Sequence, residues 1–140
     1  MNAWVGGDGQ NGRNSGHHTW FGSPRDGTMF LKRSDMSVQG ASKVWVLIDE
    51  RMDSINDGFF VIWMPGYPDP KRTIMVDYPA SYHNNAAGLS FADGHAEIRK
   101  WQDPRTVPPL KKNGNIPLNQ PQPNNPDVIW LQERTTSPRR

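Results

Sequence analysis

The chain has 140 residues, of which 34% are hydrophobic, with 13 glycines, 13 prolines and no cysteine. This length and composition predict one domain with a modest core, and they exclude disulfides, thiol catalysis and cysteine-based zinc sites. The net charge is +2, from 16 basic and 14 acidic residues. No basic stripe interleaves with aromatic residues, so we expect no nucleic-acid partner, and no stretch reaches the ~20 apolar residues of a membrane span.

The first hundred residues predict a loop-rich lead-in over residues 1–28 and a β core over residues 29–102. Residues 43–48 and 59–64 are near-continuous apolar runs, typical of strands buried on both faces. We expect these two runs to pair antiparallel across the acidic loop that joins them. Residues 73–76 form a weaker strand candidate.

Residues 88–92 and 95–101 flank an Asp-Gly pair and predict a β-hairpin. Asp93 and Gly94 can supply the positive φ angles that a tight primed turn requires. The second arm alternates in polarity, which indicates one wetter face.

The C-terminal part of the sequence predicts an arm followed by a helix. Seven prolines between residues 103 and 126 favour an extended arm with little regular structure. Residues 127–134 predict a short helix, because Asn125 can cap it and Pro126 suits its first turn. We expect Trp130 and Leu131 to dock on the sheet. Residues 1–140 are thus predicted to form a single α+β domain, mainly antiparallel β.

Several segments, in this order, resemble one bacterial family. His83 is followed by nine residues and then Asp93-Gly94, and the acidic loop reads DSINDGFF over residues 53–60. Residues 78–83 and 130–135 extend the likeness. The chain resembles the prepilin-like proteins that carry a His-X9-Asp-Gly motif and are related to type II secretion pseudopilins.

This resemblance implies a pilin-like globular head that makes protein–protein contacts in a surface filament or a type II secretion apparatus. Family members begin with a prepilin cleavage motif and a long apolar helix, which anchors them in the inner membrane. That helix is not found in this sequence, so we expect a soluble head without membrane contact. The implied partners are other pilin-like subunits or secretion components, with self-association allowed, and the implied location is the periplasm or the cell surface.

The acidic loop is the first candidate site. Asp49, Glu50, Asp53 and Asp57 offer several oxygen ligands for Ca²⁺, although the spacing does not match an EF-hand loop. Some pseudopilins bind calcium in the head, so the resemblance implies that this loop is a candidate calcium site. The favoured interpretation is a loop whose Asp and Asn side chains satisfy backbone N–H groups.

The histidines give a second candidate. His83, Asp93 and His95 together could ligate a transition metal. We favour a structural role in which His83 hydrogen-bonds the turn and holds the hairpin, with Asp93 serving the Asp-Gly turn. The adjacent pair His17-His18 is expected to be exposed.

An enzyme remains an alternative to the structural head. A glycosidase needs two carboxyls about 5–9.5 Å apart, and the candidates for such a pair are Glu50, Asp57, Asp93 and Glu97. Trp63 and Trp101 could stack on sugar rings, in a hydrolase or in a glycan-binding module. The competing interpretation is that these acids are solvated loop ends and these tryptophans belong to the core.

Overall fold

The computed structural model describes residues 1–6, 22–23 and 25–137. Its strands are β1 (Trp45–Ile48), β2 (Ile74–Met75), β3 (Ala86–Phe91), β4 (Ala96–Lys100) and β5 (Gln120–Pro121), and its α-helix is α1 (Pro126–Thr135). Short 3-10 helices span Arg33–Met36, Ala41–Lys43 and Pro70–Arg72. The prediction of a mainly antiparallel α+β fold with a short C-terminal helix is confirmed. His17-His18 lie outside the described residues.

The main sheet has three antiparallel strands in the order β1-β3-β4. Ile48 lies opposite Leu89, and Leu89 lies opposite Glu97, so β3 is central and β4 forms an edge. A register shift between Trp45 and Leu47 marks an irregularity in β1. A second, two-stranded sheet pairs β2 with β5, which brings the Pro-rich arm against the segment at residues 73–76.

The predicted pairing between residues 43–48 and 59–64 is wrong. β1 pairs with β3, and the first residues of the chain lie between β1 and the second apolar run. The Asn2 N–H donates to the Val46 carbonyl (2.8 Å), and the Phe60 N–H donates to the Met1 carbonyl (2.7 Å). Residues 59–64 form no strand; they contribute a single parallel bridge, between Phe60 and Asn2.

The main core lies between the sheet and α1. It includes Trp4, Trp45, Phe60, Leu89 and Leu131, none of which is more than 2% exposed. Such large apolar side chains bury much area from few positions, which suits a chain with modest hydrophobic content. Trp130 is partly buried and packs against the same cluster, so the predicted docking of the C-terminal helix is confirmed.

The local signals at α1 act as the sequence predicts. The Asn125 side chain accepts hydrogen bonds from the N–H groups of Asp127 (2.8 Å) and Val128 (3.3 Å), and Pro126 occupies the first turn. The buried Asp127 carboxylate accepts from the Gln102 and Asp103 N–H groups. These bonds join the start of α1 to the chain just after β4. Among the described residues, no helix is long and apolar enough to cross a membrane.

Candidate functional site

The hairpin tip is held by Asp93 and His95, two residues apart. The Asp93 carboxylate accepts from the His95 N–H (3.2 Å) and lies 2.5 Å from His95 Nδ1, while the His95 ring stacks on Phe91. The bond to His95 is the main cause that lowers the pKa of Asp93. Gly94 has a φ of +98° and donates to the Phe91 carbonyl. Asp93 keeps a negative φ, so the predicted primed turn is replaced by a three-residue loop with one left-handed glycine.

His83 lies at the other end of β3. It precedes the first residue of the strand, whereas Asp93 follows its last, and six residues at ~3.3 Å each separate the two ends by roughly 17–20 Å. His83 is exposed and makes no hydrogen bond with the described residues. The prediction that His83 fixes the turn is therefore wrong, and the structure does not bring His83, Asp93 and His95 together.

Asp53 of the acidic loop belongs to a buried ion pair. Arg51 Nε lies 2.5 Å from Asp53 Oδ1, and Nη2 lies 2.9 Å from Oδ2. Arg51 also donates to the carbonyls of Pro108 and Pro109, and the Asp53 carboxylate accepts from the Lys111 N–H. Burial acts to raise the pKa of Asp53, but these hydrogen bonds together lower it. The pair fastens the Pro-rich arm to the body of the domain.

The other acidic-loop residues diverge. Asp49 accepts from the Gly88 N–H (3.2 Å), and Asp57 accepts from the Phe59 N–H (2.7 Å). Asp49, Asp53 and Asp57 thus each accept a hydrogen bond from a backbone N–H group. This agrees with the favoured interpretation, in which the acidic side chains of this loop satisfy backbone groups. Within residues 1–6, 22–23 and 25–137, no group of three or more His, Asp or Glu side chains is placed to hold a metal ion.

Glu50 lies close enough to Asp77 for the two carboxyls to interact electrostatically, and no sequence motif indicated Asp77. Burial raises the pKa of Glu50 to about 7; a Ser54 hydrogen bond opposes this shift, and the nearby Asp77 and Asp57 add to it. Burial likewise raises the pKa of Asp77 to about 6, against a hydrogen bond from the Val61 N–H. Glu50 Oε1 and Asp77 Oδ1 are buried without hydrogen-bond partners among the described residues. Burial of these two neighbouring carboxyl groups favours their protonated, neutral forms.

The glycosidase candidates are only partly brought together. Glu50 and Asp57 interact electrostatically, whereas Asp93 sits at the exposed hairpin tip and Glu97 on the edge strand β4. Trp101 is 4% exposed and its indole N–H donates to the Ala80 carbonyl, so it is a core residue and offers no stacking surface. Trp63 is partly buried against the main core.

Trp130 lies against two charged side chains. The guanidinium of Arg99 lies 4.6 Å from its ring centroid, and that of Arg134 lies 4.3 Å away. Each contact is of the cation–π type. Trp130 and Arg134 are four residues apart, a spacing that places two side chains on the same face of a helix, so this pair was detectable in the sequence. No comparable spacing in the sequence indicated that Asp77 lies near Glu50.

An apolar surface lies on the side of the main sheet that faces away from α1. We call it the outer face; its residues are Leu47, Gly88, Ser90, Ala96 and Ile98. They line an open groove of about 630 Å³. Leu47 is 53% exposed and Ile98 is 77% exposed. Because the central strand contributes only Gly88 and Ser90, the groove between the two large side chains is left unfilled.

Comparison with protein-family models, curated proteins and solved structures found no match to this chain.

Proposed function

We propose that this domain is the interaction head of a pilin-like or pseudopilin-like protein of a surface filament or type II secretion apparatus. The outer face is its contact surface. The observation that carries this proposal is the exposure of Leu47 and Ile98 on one side of the main sheet. Large apolar side chains exposed together on one face favour contact with another protein.

The family resemblance supplies the class of partner. A pilin-like head packs against neighbouring subunits or secretion components, and an apolar sheet face with a shallow groove suits such packing. Export to the periplasm or cell surface is part of this proposal. Ser90 and Asp49, two of the polar residues that line the groove, would add hydrogen bonds to the contact.

The direct test is binding to purified pilin-like subunits encoded in the same genome. Leu47→Asp places a charge in the groove and should weaken binding by about tenfold or more. Val38→Asp is the matched control, because Val38 is 72% exposed but lies outside the outer face. Equal binding by both variants and the unaltered protein would rule out the outer face as the contact surface.

A carbohydrate-active hydrolase is the second candidate, and the raised pKa of Glu50 favours it. A carboxyl with a pKa of about 7 can donate a proton near neutral pH, as a general acid must, with the exposed Asp57 nearby as its partner. Turnover of a polysaccharide by the unaltered protein, lost on Glu50→Gln, would support this function. Absence of turnover across polysaccharides would remove it.

A further inference from the structure

The edge of β4 carries unpaired backbone groups at every second residue. The Trp101 N–H donates to the Asn85 carbonyl, and the Phe91 N–H donates to the His95 carbonyl. By the alternation of an antiparallel ladder, Glu97 and Arg99 exchange hydrogen bonds with β3, whereas Ala96, Ile98 and Lys100 direct their N–H and C=O groups away from it. No described strand pairs with this edge.

The side chains of β4 are self-complementary about Ile98. Glu97 and Arg99 flank it on the α1 side, with opposite charges, and Ala96 and Lys100 lie one position further out. In an antiparallel pair centred on Ile98, Glu97 of one copy lies opposite Arg99 of the other, and the reverse contact is identical. Such opposite-charge cross-strand pairs are stabilising, and two-fold symmetry makes each interaction occur twice.

We propose that two copies of this chain associate through β4, antiparallel and centred on Ile98, to form one continuous six-stranded sheet. The backbone alternation agrees with this register: Ile98 pairs with Ile98, and Ala96 with Lys100, as hydrogen-bonded pairs. Glu97 and Arg99 then occupy non-hydrogen-bonded pairs, where opposed side chains lie closest.

The contacts of Arg99 leave its guanidinium free to bind a second carboxylate. It stacks on Trp130, which holds it in place, and its only ion pair among the described residues is at 3.8 Å, to Asp127. Ile98, at 77% exposure, is the most exposed large apolar side chain of the described residues, and the pairing covers it with its own symmetry mate. Charged residues on an edge strand ordinarily prevent pairing with another strand. Here the order of the charges opposes pairing in other registers, whereas in the register centred on Ile98 opposite charges face each other.

The first test uses the absence of cysteine from the chain. Ile98→Cys places one thiol on the two-fold axis, where Cα atoms of the two copies are ~5.5 Å apart, within disulfide range. Mild oxidation of the purified protein should give a covalent dimer. Ile55→Cys is the control, since Ile55 is 52% exposed and lies in the acidic loop. Equal cross-linking of the two variants would overturn the proposal.

The second test reverses charge. Glu97→Lys and Arg99→Glu each oppose like charges across the axis and should each weaken self-association, measured by sedimentation equilibrium, by about tenfold. An equimolar mixture of the two variants restores both opposite-charge pairs and should restore the dimer. A monomeric unaltered protein at about 1 mM, or no effect of Glu97→Lys, would contradict the proposal. Circular dichroism checks that Arg99→Glu still folds.

This proposal goes beyond the interaction head. Because Ile98 belongs both to the outer face and to the β4 edge, the two proposals are separated by variants at other positions. Leu47 lies on β1, which is separated from β4 by the central strand β3. Leu47→Asp should therefore weaken binding to pilin-like subunits by about tenfold or more and leave the dimer intact, whereas Glu97→Lys should weaken the dimer by about tenfold. If binding to pilin-like subunits is found without a dimer, only the dimer proposal fails. If a dimer is found without such binding, only the proposed function fails.

Discussion

Arg51 and Asp53, two residues apart in the chain, form a bidentate ion pair whose side chains are 1% and 2% exposed. The pair is fully engaged, because Arg51 also donates to two carbonyls of the Pro-rich arm and Asp53 accepts from the Lys111 N–H. Part of the acidic loop that resembles a cation site thus acts as a structural anchor.

Arg51→Ala should lower the free energy of unfolding by about 3–5 kcal/mol, because it leaves the Asp53 carboxylate buried without its partner. The N–H groups of Lys111 and Ile116, which donate to Asp53, should exchange faster with deuterium. Arg105→Ala is a matched control. Arg105 forms an ion pair with Asp103, also two residues away in the chain, but the Arg105 side chain is 44% exposed. We expect the control to cost at most ~1 kcal/mol, and equal losses would contradict the anchor role.

Stability should fall as the pH rises from about 4.5 to about 7. Glu50 and Asp77 have raised pKa values of about 7 and about 6, so the folded state binds more protons than the unfolded state in this window. Their contribution is fully present below the ordinary values of 4.5 and 3.8 and is lost as each group ionises in the folded protein.

Denaturant titrations at several pH values measure this dependence. Asp77→Asn should flatten the profile by an amount on the order of 2 kcal/mol between its ends, and Glu50→Gln should flatten it near pH 7. The control is Glu133→Gln, because the Glu133 side chain is 51% exposed and lies on α1, away from β4. A profile that Asp77→Asn leaves unchanged would show that Asp77 is ionised throughout the window.

The two ends of the His-X9-Asp-Gly motif should differ in their effect on stability. His83→Ala should change the free energy of unfolding by less than about 0.5 kcal/mol, because His83 is exposed and makes no described hydrogen bond. Gly94→Ala should cost about 1–2 kcal/mol, since φ is +98° and no atom crowds the site, so the cost is backbone strain alone. A large loss on His83→Ala would restore a structural role for that histidine.

The elements that the sequence predicted are those specified by neighbouring residues. The β3–β4 hairpin follows from Asp93-Gly94 between an apolar arm and an arm of alternating polarity, and α1 follows from Asn125-Pro126 before residues 127–134. The partner of β1 could not be predicted in this way, because strand pairing is a long-range choice. Here Asn2 occupies the edge of β1 where residues 59–64 were expected.

The candidate site was predicted less well for a related reason. An acid in a loop looks the same whether it becomes solvated, binds a cation or is buried. The Pro-rich arm folds back onto Asp53, where the Lys111 N–H donates to its carboxylate. Burial is the main cause of the raised pKa of Glu50, and Asp77, 27 residues later, adds to it. The outer face could not be predicted for the same reason, since its two large side chains, Leu47 and Ile98, are 51 residues apart in the chain.

Photo-crosslinking in cells that produce this protein together with pilin-like subunits tests whether the outer face contacts a partner. A photoreactive amino acid placed at Leu47 should cross-link to a pilin-like subunit or a secretion component, whereas the same amino acid at the exposed Val38 should not. Products that are the same from both positions, or no product from Leu47, would contradict the assignment of the outer face as the contact surface of an interaction head.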